Sequence, residues 1–314
     1  MTENPDLPPI AELSAKDLGT GSLAFGEALI EGLRETGFAV VTDHDIDHDL
    51  IASMEQESQN FFALTETRKT DFAMPDIHYQ RGYSPFGTEN AKDRTAPDLK
   101  EFWHVGRDSI PGLPGTPSVP DVPSFDSVSQ ALFDDMDRFG RALMTSIGMA
   151  LDMSQEKMDA ALDNGNSILR LLHYPPIAAE HHGKGPAVRA AAHEDINLLT
   201  LLLGAEEAGL EVKHRSGQWI PIAPPAGALV VNAGDMLDRL TAGLLPSTTH
   251  RVVNPKPERA THSRYSMPFF LHPASDFVLE ALPRCLEEGG LAKDPITARA
   301  YLDQRLAEIG LAKS

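Results

Sequence analysis

The stretch Ala191-Ala-His-Glu-Asp-Ile-Asn-Leu-Leu-Thr-Leu-Leu-Leu203 decides how this chain is read. It sets a histidine and an aspartate two residues apart, then follows them with a run of apolar strand formers. On an extended strand, residues i and i+2 point to the same face. His193 and Asp195 therefore present an imidazole and a carboxylate side by side, and 198–203 reads as buried strand. One more imidazole from a distant strand would complete a two-histidine, one-carboxylate facial triad, a metal site with open positions. The bare pattern is weak. With 12 His and 46 acidic residues in 314, a His followed two later by an acid arises about twice by chance. The rest of the chain has to supply the context.

Composition narrows the classes. With 41% apolar and 23% charged residues the chain is an ordinary globular protein, long enough for one large domain or two small ones. Its net charge of −19 argues against nucleic acid or an anionic membrane as partner, since either needs a basic footprint. A single cysteine, Cys285, excludes an intramolecular disulfide framework and fits a reducing compartment. Residues 1–11 are polar and Pro-containing, without the apolar core of a signal peptide. No run of 18 apolar residues offers a membrane span. A soluble, cytoplasmic protein acting on a small molecule is the expectation; nothing in the sequence reads out its oligomeric state.

Along the chain, Phe25, Leu29, Ile30 and Leu33 recur at helical spacing, with Gly37 as a stop. Residues 38–42 then read as a short buried strand. Leu50, Ile51, Met54, Ser58, Phe61 and Phe62 mark one side of a second helix. The acidic His44-Asp-Ile-Asp-His-Asp49 sits at the turn between them, where Asp47 suits a helix N-cap better than a metal site. Residues 76–107 read as loop, rich in Gly, aromatic and charged residues. Pro111, Pro114, Pro117, Pro120 and Pro123 follow at every third position, the period of a polyproline II connector. Val128, Leu132, Met136, Phe139, Leu143 and Ile147 predict a helix of about 20 residues packed on a sheet.

After residue 165 the character changes. Short apolar segments at 167–174, 190–193, 197–203, 210–214, 218–222, 228–232, 248–253 and 264–271 alternate with Gly, Pro and charged turns. Eight strands at such spacing suggest a jelly roll or barrel. Residues 296–309 read as an amphipathic helix. The chain thus divides into an N-terminal region, 1–125, a long helix and connector, 126–164, a strand-rich core, 165–275, and a C-terminal helical segment, 276–314. Together they form one compact α+β unit.

His250 lies in the β-branched segment Ser247-Thr-Thr-His-Arg-Val-Val253. The 54 residues between Asp195 and His250 leave room for about four strands, so a sheet closing on itself could bring His250 beside the first pair. Fourteen residues further on, Arg264-Tyr-Ser266 offers a guanidinium and a hydroxyl on one strand face, a pair suited to a carboxylate.

The order His193-x-Asp195, His250, Arg264-x-Ser266 resembles the 2-oxoglutarate/Fe(II)-dependent dioxygenases of the isopenicillin-N-synthase-like group. Gly217-Gln-Trp-Ile-Pro221, Val231-Asn-Ala-Gly-Asp235, Leu169-Arg-Leu-Leu-His-Tyr-Pro-Pro176 and Thr36-Gly-Phe38 extend the likeness over nearly the whole chain. The resemblance implies a double-stranded β-helix (jelly-roll) core with flanking N-terminal and C-terminal helices. It implies Fe(II) on His193, Asp195 and His250, with 2-oxoglutarate and O2 as co-substrates. Arg264, Ser266 and Tyr174 would hold the oxoglutarate. It further implies oxidation of a small molecule coupled to oxidative decarboxylation of 2-oxoglutarate. Two departures bear on this. Leu172-His173-Tyr174-Pro175 stands where plant members have Asn-Tyr-Tyr-Pro, so their substrate contacts do not transfer. No glutamine follows Gln304, unlike isopenicillin N synthase, which favours the oxoglutarate-using branch. Alternatives are an oxoglutarate-fragmenting, ethylene-forming relative, an oxoglutarate-independent oxidase, and a degenerate metal- or small-acid-binding protein.

For the organic substrate the sequence offers Tyr83, Phe86, Phe102 and His104, a concentration of rings in a chain only 6% aromatic. Tyr83 and Phe86 bracket Pro85 in a turn suited to lie over a barrel mouth. Phe102 and His104 stand at i and i+2 of a possible edge strand and would face one pocket.

Overall fold

Alternation along the strands sorts this sequence into a side that faces helices and a side that faces a second sheet. The computed structural model describes residues 7–88, 100–108, 110–176, 190–203, 209–253 and 262–308. Its N-terminal part contains β1 (Ala11–Ser14), α1 (Leu23–Thr36), β2 (Phe38–Thr42), α2 (His48–Phe62), α3 (Glu66–Thr70), β3 (Gly82–Ser84) and β4 (Glu101–Gly106). Two helices follow, α4 (Phe125–Ala150) and α5 (Gln155–Leu162). The strand-rich part runs β5 (Ile168–Tyr174), β6 (Ala190–His193), β7 (Leu199–Leu203), β8 (Leu210–Lys213), β9 (Trp219–Ile222), β10 (Leu229–Ala233), α6 (Asp235–Leu240), β11 (His250–Val252), β12 (Arg264–Ser266) and β13 (Pro268–Leu271). The chain closes with β14 (Val278–Leu279), α7 (Pro283–Glu287), β15 (Ile296–Thr297) and α8 (Ala298–Glu308).

The large sheet has the order β1-β2-β10-β7-β13-β5-β4-β3, with β12 also paired to β5, and the small sheet β6-β11-β8-β9. Register fixes which side chains share a face. Val40 pairs with Val230, Val230 with Leu202 and Leu202 with Pro268. These side chains face the small sheet, where Phe38, Val40, Val230, Leu210, Val212, Ile220 and Ile222 close one end of the interior. The intervening residues, among them Val41, Leu201, Val231, Leu169, Leu171, Trp103 and Phe269, join the helix-side core with Leu29, Leu33, Phe61 and the apolar face of α4. The jelly-roll core flanked by helices is therefore the observed architecture. Membrane crossing has no candidate: among the described residues, no helix is long and apolar enough.

Local signals set the helix ends. Gly37 ends α1 at φ 72°, a left-handed position that suits glycine, and its N–H donates to Leu33 O. Asp47 caps α2, its Oδ1 accepting from the N–H groups of Asp49 and Leu50. The helix expected at 128–147 is longer than its apolar stripe suggests, 26 residues.

Several expectations change. The segment 76–107 is not all loop, for β3 and β4 extend the large sheet; residues 89–99 lie outside the described residues. Nor is β4 an edge, because it is hydrogen-bonded to β3 on one side and β5 on the other. The segment 264–271 splits at Met267, since Pro268 has no N–H to continue the ladder. The proline run 111–123 carries neither helix nor strand. The last helix begins at Ala298, with Ile296–Thr297 paired as a strand before it; Ile309 lies outside the described residues.

Candidate active site

His193 ends β6 and His250 begins β11, and the two residues stand directly opposite each other in the antiparallel pair. Their ring centroids are 4.4 Å apart. Asp195, just past β6, lies between them, with Oδ1 3.8 Å from His193 Nε2 and Oδ2 3.8 Å from His250 Nε2. All three ligand atoms lie within 4.8 Å of one another, the only such metal-capable cluster among the described residues. His193 Nδ1 is 2.7 Å from Ala191 O, and His250 Nδ1 is 3.1 Å from Thr248 O. A carbonyl only accepts, so each Nδ1 carries its proton and each Nε2 turns a lone pair toward the centre. A neutral imidazole held this way is ready to bind a metal.

Asp195 is held by residues the sequence did not single out. Its Oδ2 accepts from Thr200 Oγ1 at 2.6 Å and from Asn232 Nδ2 at 2.9 Å. Thr200 and Asn232 are themselves register partners on β7 and β10, polar interior positions in otherwise apolar strands. Burial pushes the Asp195 carboxyl up, but the two facing imidazoles and these hydrogen bonds outweigh it and hold it below the usual range. His193 has 45% of its side chain open to solvent on one edge. The protein mass around it, and then His250, still bring its pKa down to about 4. Phe38, from the N-terminal strand β2, packs edge-on against His250 with centroids 5.3 Å apart.

Arg264 and Ser266 share the interior face of β12, as their spacing predicts, and pair in register with Tyr174 and Leu172 of β5. All three proposed oxoglutarate residues are buried, Arg264 and Ser266 at 6% and Tyr174 at 3% exposure. The Arg264 guanidinium carbon stands 5.2 Å from the Tyr174 ring centroid.

The four substrate candidates separate. Phe102 and His104 do lie on one interior face, with rings 4.8 Å apart, beside Leu172 and Tyr174. Tyr83 faces the helix layer instead, fully buried, and gives its hydroxyl to Glu101 Oε2 at 2.5 Å. The reason is phase: Tyr83 pairs with Trp103, one residue out of step with Phe102. Phe86 is 43% exposed in the turn after β3. The wall also contains groups the sequence reading passed over. Arg170 of β5 sits over the Phe102 ring at 4.3 Å and the Phe270 ring at 5.3 Å. Its Nε donates to His104 Nε2 at 2.7 Å, and His104 Nδ1 donates to Tyr79 O at 2.8 Å, which fixes that imidazole as the neutral Nδ1–H form. Burial brings the pKa of His272, two residues past Phe270, down to about 4. A charged residue in the apolar run 168–174 was the available signal for Arg170.

Comparisons with known proteins agree with this geometry. The model of the 2OG-Fe(II) oxygenase superfamily matches residues 165–273, and that of the non-haem dioxygenase N-terminal region named for morphine synthesis matches 8–122. A 2-oxoglutarate-Fe(II) type oxidoreductase of Emericella nidulans is 29% identical over 309 residues, covering 93% of this chain and 86% of the relative. A crystal structure of a 2OG-Fe(II) oxygenase family protein from Caulobacter crescentus is 43% identical, with a TM-score of 0.84 over 96% of this chain and 99% of that one. A full-length Neurospora crassa protein crystallised in complex with alpha-KG is 31% identical, with a TM-score of 0.87 over 97% of each chain. The same protein has also been crystallised with alpha-KG and thymine, and with alpha-KG and 5-formyluracil.

Proposed function

Because this chain belongs to the 2OG-Fe(II) oxygenase superfamily, we propose that His193, Asp195 and His250 hold its iron and that Arg264, Ser266 and Tyr174 hold 2-oxoglutarate. The enzyme is a 2-oxoglutarate-dependent Fe(II) dioxygenase. It couples conversion of 2-oxoglutarate and O2 to succinate and CO2 with oxidation of a second small molecule. The observation that carries the residue assignment is convergence: two Nε2 lone pairs and one ionised carboxylate meet within 4.8 Å, and Arg264 and Ser266 share one buried strand face. The donor set fits iron, since two neutral imidazoles and a carboxylate suit a non-haem ferrous ion and leave positions open. Bound iron supplies the redox centre at which oxoglutarate and O2 meet.

The chain's own residues prepare that centre. Ala191 O and Thr248 O orient the imidazoles, and Thr200 and Asn232 hold the carboxylate against rotation. Arg264 gives a buried cation for a carboxylate, with the Ser266 hydroxyl on the same face. Arg170, between Phe102 and Phe270, gives the second wall its charge. We infer a substrate that is small, carries in-plane hydrogen-bond acceptors and has an apolar or aromatic body to lie against Phe270. Nucleobases such as thymine, bound by the Neurospora crassa relative, are the first probes to try. Succinate formation under air with Fe(II), oxoglutarate and a panel of such molecules tests the reading. Oxygen uptake that ignores oxoglutarate would instead mean an oxoglutarate-independent oxidase, and stoichiometric binding without succinate a binding protein.

A further inference from the structure

Helix α8 is fastened at its two ends by different means. At its start the backbone is tied down: Ala298 N–H donates to Phe277 O at 2.8 Å and Arg299 N–H to Ser275 O at 2.9 Å. Beyond that turn it buries little. Ala298 is its only buried residue, and Tyr301, Leu302, Arg305 and Leu306 are half-buried. A helix of 11 residues with so narrow an apolar contact is marginal by itself. Tyr301 and Leu302 pack against the core, and in the far half Arg305 Nε forms an ion pair with Asp235 Oδ2 at 3.0 Å. Arg305 also reaches Glu194 Oε2 at 4.0 Å and Glu308 Oε2 at 2.7 Å.

Glu194 belongs to the segment that carries two of the triad residues, and Asp235 is hydrogen-bonded to that segment. Glu194 stands between His193 and Asp195, and its Oε1 accepts from Thr249 Oγ1 at 2.8 Å, next to His250. Asp235 N–H donates to Asp195 O at 2.7 Å, and Met236 N–H donates to Ile196 O and Asn197 O. Asp235 is 8% exposed, and burial raises its carboxyl above the usual range. A carboxylate buried there needs the facing guanidinium. The same helix brings Leu302 to a shallow cleft lined also by Asn166, Met236, His272, Ile110 and Leu113.

We propose that Arg305 is a positioning residue that clasps α8 to Asp235 and Glu194, so that docking of the helix over the cleft and the geometry of the metal triad are set together. The proposal rests on the triad holding the metal. An α8 docked through Arg305 completes the cleft wall with Leu302 and braces the 193–197 segment from outside. An undocked α8 leaves Asp235 without its cation and the Asp195 segment braced on one side only.

Co(II), whose visible absorption reports ligand geometry, and hydrogen exchange of the α8 amides test this in the full chain. Arg305→Met should speed exchange of the α8 amides at least about tenfold while α4 amides stay protected. The same variant should weaken Co(II) binding about three- to tenfold and shift its absorption. Arg305→Lys, which keeps the charge, should recover most of both. Unchanged α8 exchange in Arg305→Met overturns the clasp. Faster exchange with Co(II) binding and absorption identical to the parent overturns the coupling, leaving Arg305 a helix fastener. A parent that takes up no Co(II) overturns the metal reading itself.

Discussion

Asn232 Nδ2 donates to Asp195 Oδ2 across 37 residues of sequence, at 2.9 Å, and so fixes the carboxylate between the two imidazoles. Thr200 Oγ1 reaches the same oxygen, and Asn197 in turn bonds Thr200. Groups that orient a metal-binding carboxylate change affinity by about 10- to 100-fold when removed. Asn232→Ala should therefore weaken Fe(II) or Co(II) binding by about tenfold, with oxoglutarate-free thermal stability changed little. A metal titration of the variant checks it, and unchanged affinity would assign Asn232 to strand packing alone.

Arg264 is the next test. Truncating one partner of a desolvated charge pair costs about 2–5 kcal/mol. Arg264→Ala should raise the oxoglutarate Kd by about tens-fold to thousands-fold, while metal affinity stays near the parent's. Calorimetric titration of oxoglutarate into metal-loaded protein separates the two. Equal oxoglutarate affinity would make Arg264 a structural cation stacked on Tyr174.

Most of the centre was legible because it depends on strand phase. A period of two puts Arg264 with Ser266, and Asp195 comes beside His193 from just past the end of β6. The eight apolar segments mark the core strands, the last of them divided into β12 and β13. Closure through β6 and β11 was legible only as room in the sequence. Tyr83 was misplaced because the frame of β3 depends on pairing with β4, and no local signal distinguishes Tyr83 from Phe102. Asn232 and Phe38 were missed for a related reason, since they act through contacts with residues far away in the chain. Thr200, five residues from Asp195, reaches it only through the turn after β6.

A buried polar island beneath the site makes a stability prediction. Lys69 Nζ and the Tyr83 hydroxyl both donate to Glu101 Oε2 at 2.5 Å, and His173 Nδ1 lies 2.8 Å from Oε1. Burial pushes Glu101 up, but the bonds from His173, Lys69 and Tyr83 hold it below the ordinary carboxylate range. Removing one member of a buried pair costs about 3–5 kcal/mol. Lys69→Met should lose stability on that scale in urea unfolding, and adding Glu101→Gln should recover part of it. A loss under about 1 kcal/mol would mean the pair is hydrated.

Acid sensitivity follows from His272, whose pKa burial lowers from the ordinary 6.5 to about 4. The unfolded chain binds the proton more readily, so protonation favours unfolding. The neutral ring's contribution to stability is complete above about pH 6.5 and is lost as pH falls through about 4. Metal-free protein should therefore melt progressively lower between these values, His193 acting in the same direction. His272→Gln should flatten that slope. A parallel decline in parent and variant would trace the acid sensitivity to other groups.

Arg170 decides whether the second wall selects the substrate. Its guanidinium is fixed on three sides, by the Phe102 ring, the Phe270 ring and His104 Nε2, an arrangement that sets the direction of its charge. Arg170→Met keeps length and apolar contact with both rings but removes the charge, so packing should survive. Phe102→Ala, by contrast, empties a fully enclosed position and should cost about 3–5 kcal/mol. If the wall recognises substrate, Arg170→Met abolishes substrate-stimulated succinate formation and spares the slow decarboxylation of oxoglutarate without substrate. Thermal melting of Arg170→Met should stay within a few degrees of the parent, on the order of 1 kcal/mol for a chain this size. Loss of both activities together, with a large fall in melting temperature, would instead make Arg170 part of the barrel's packing and move the search for the substrate contact to the cleft beside His272.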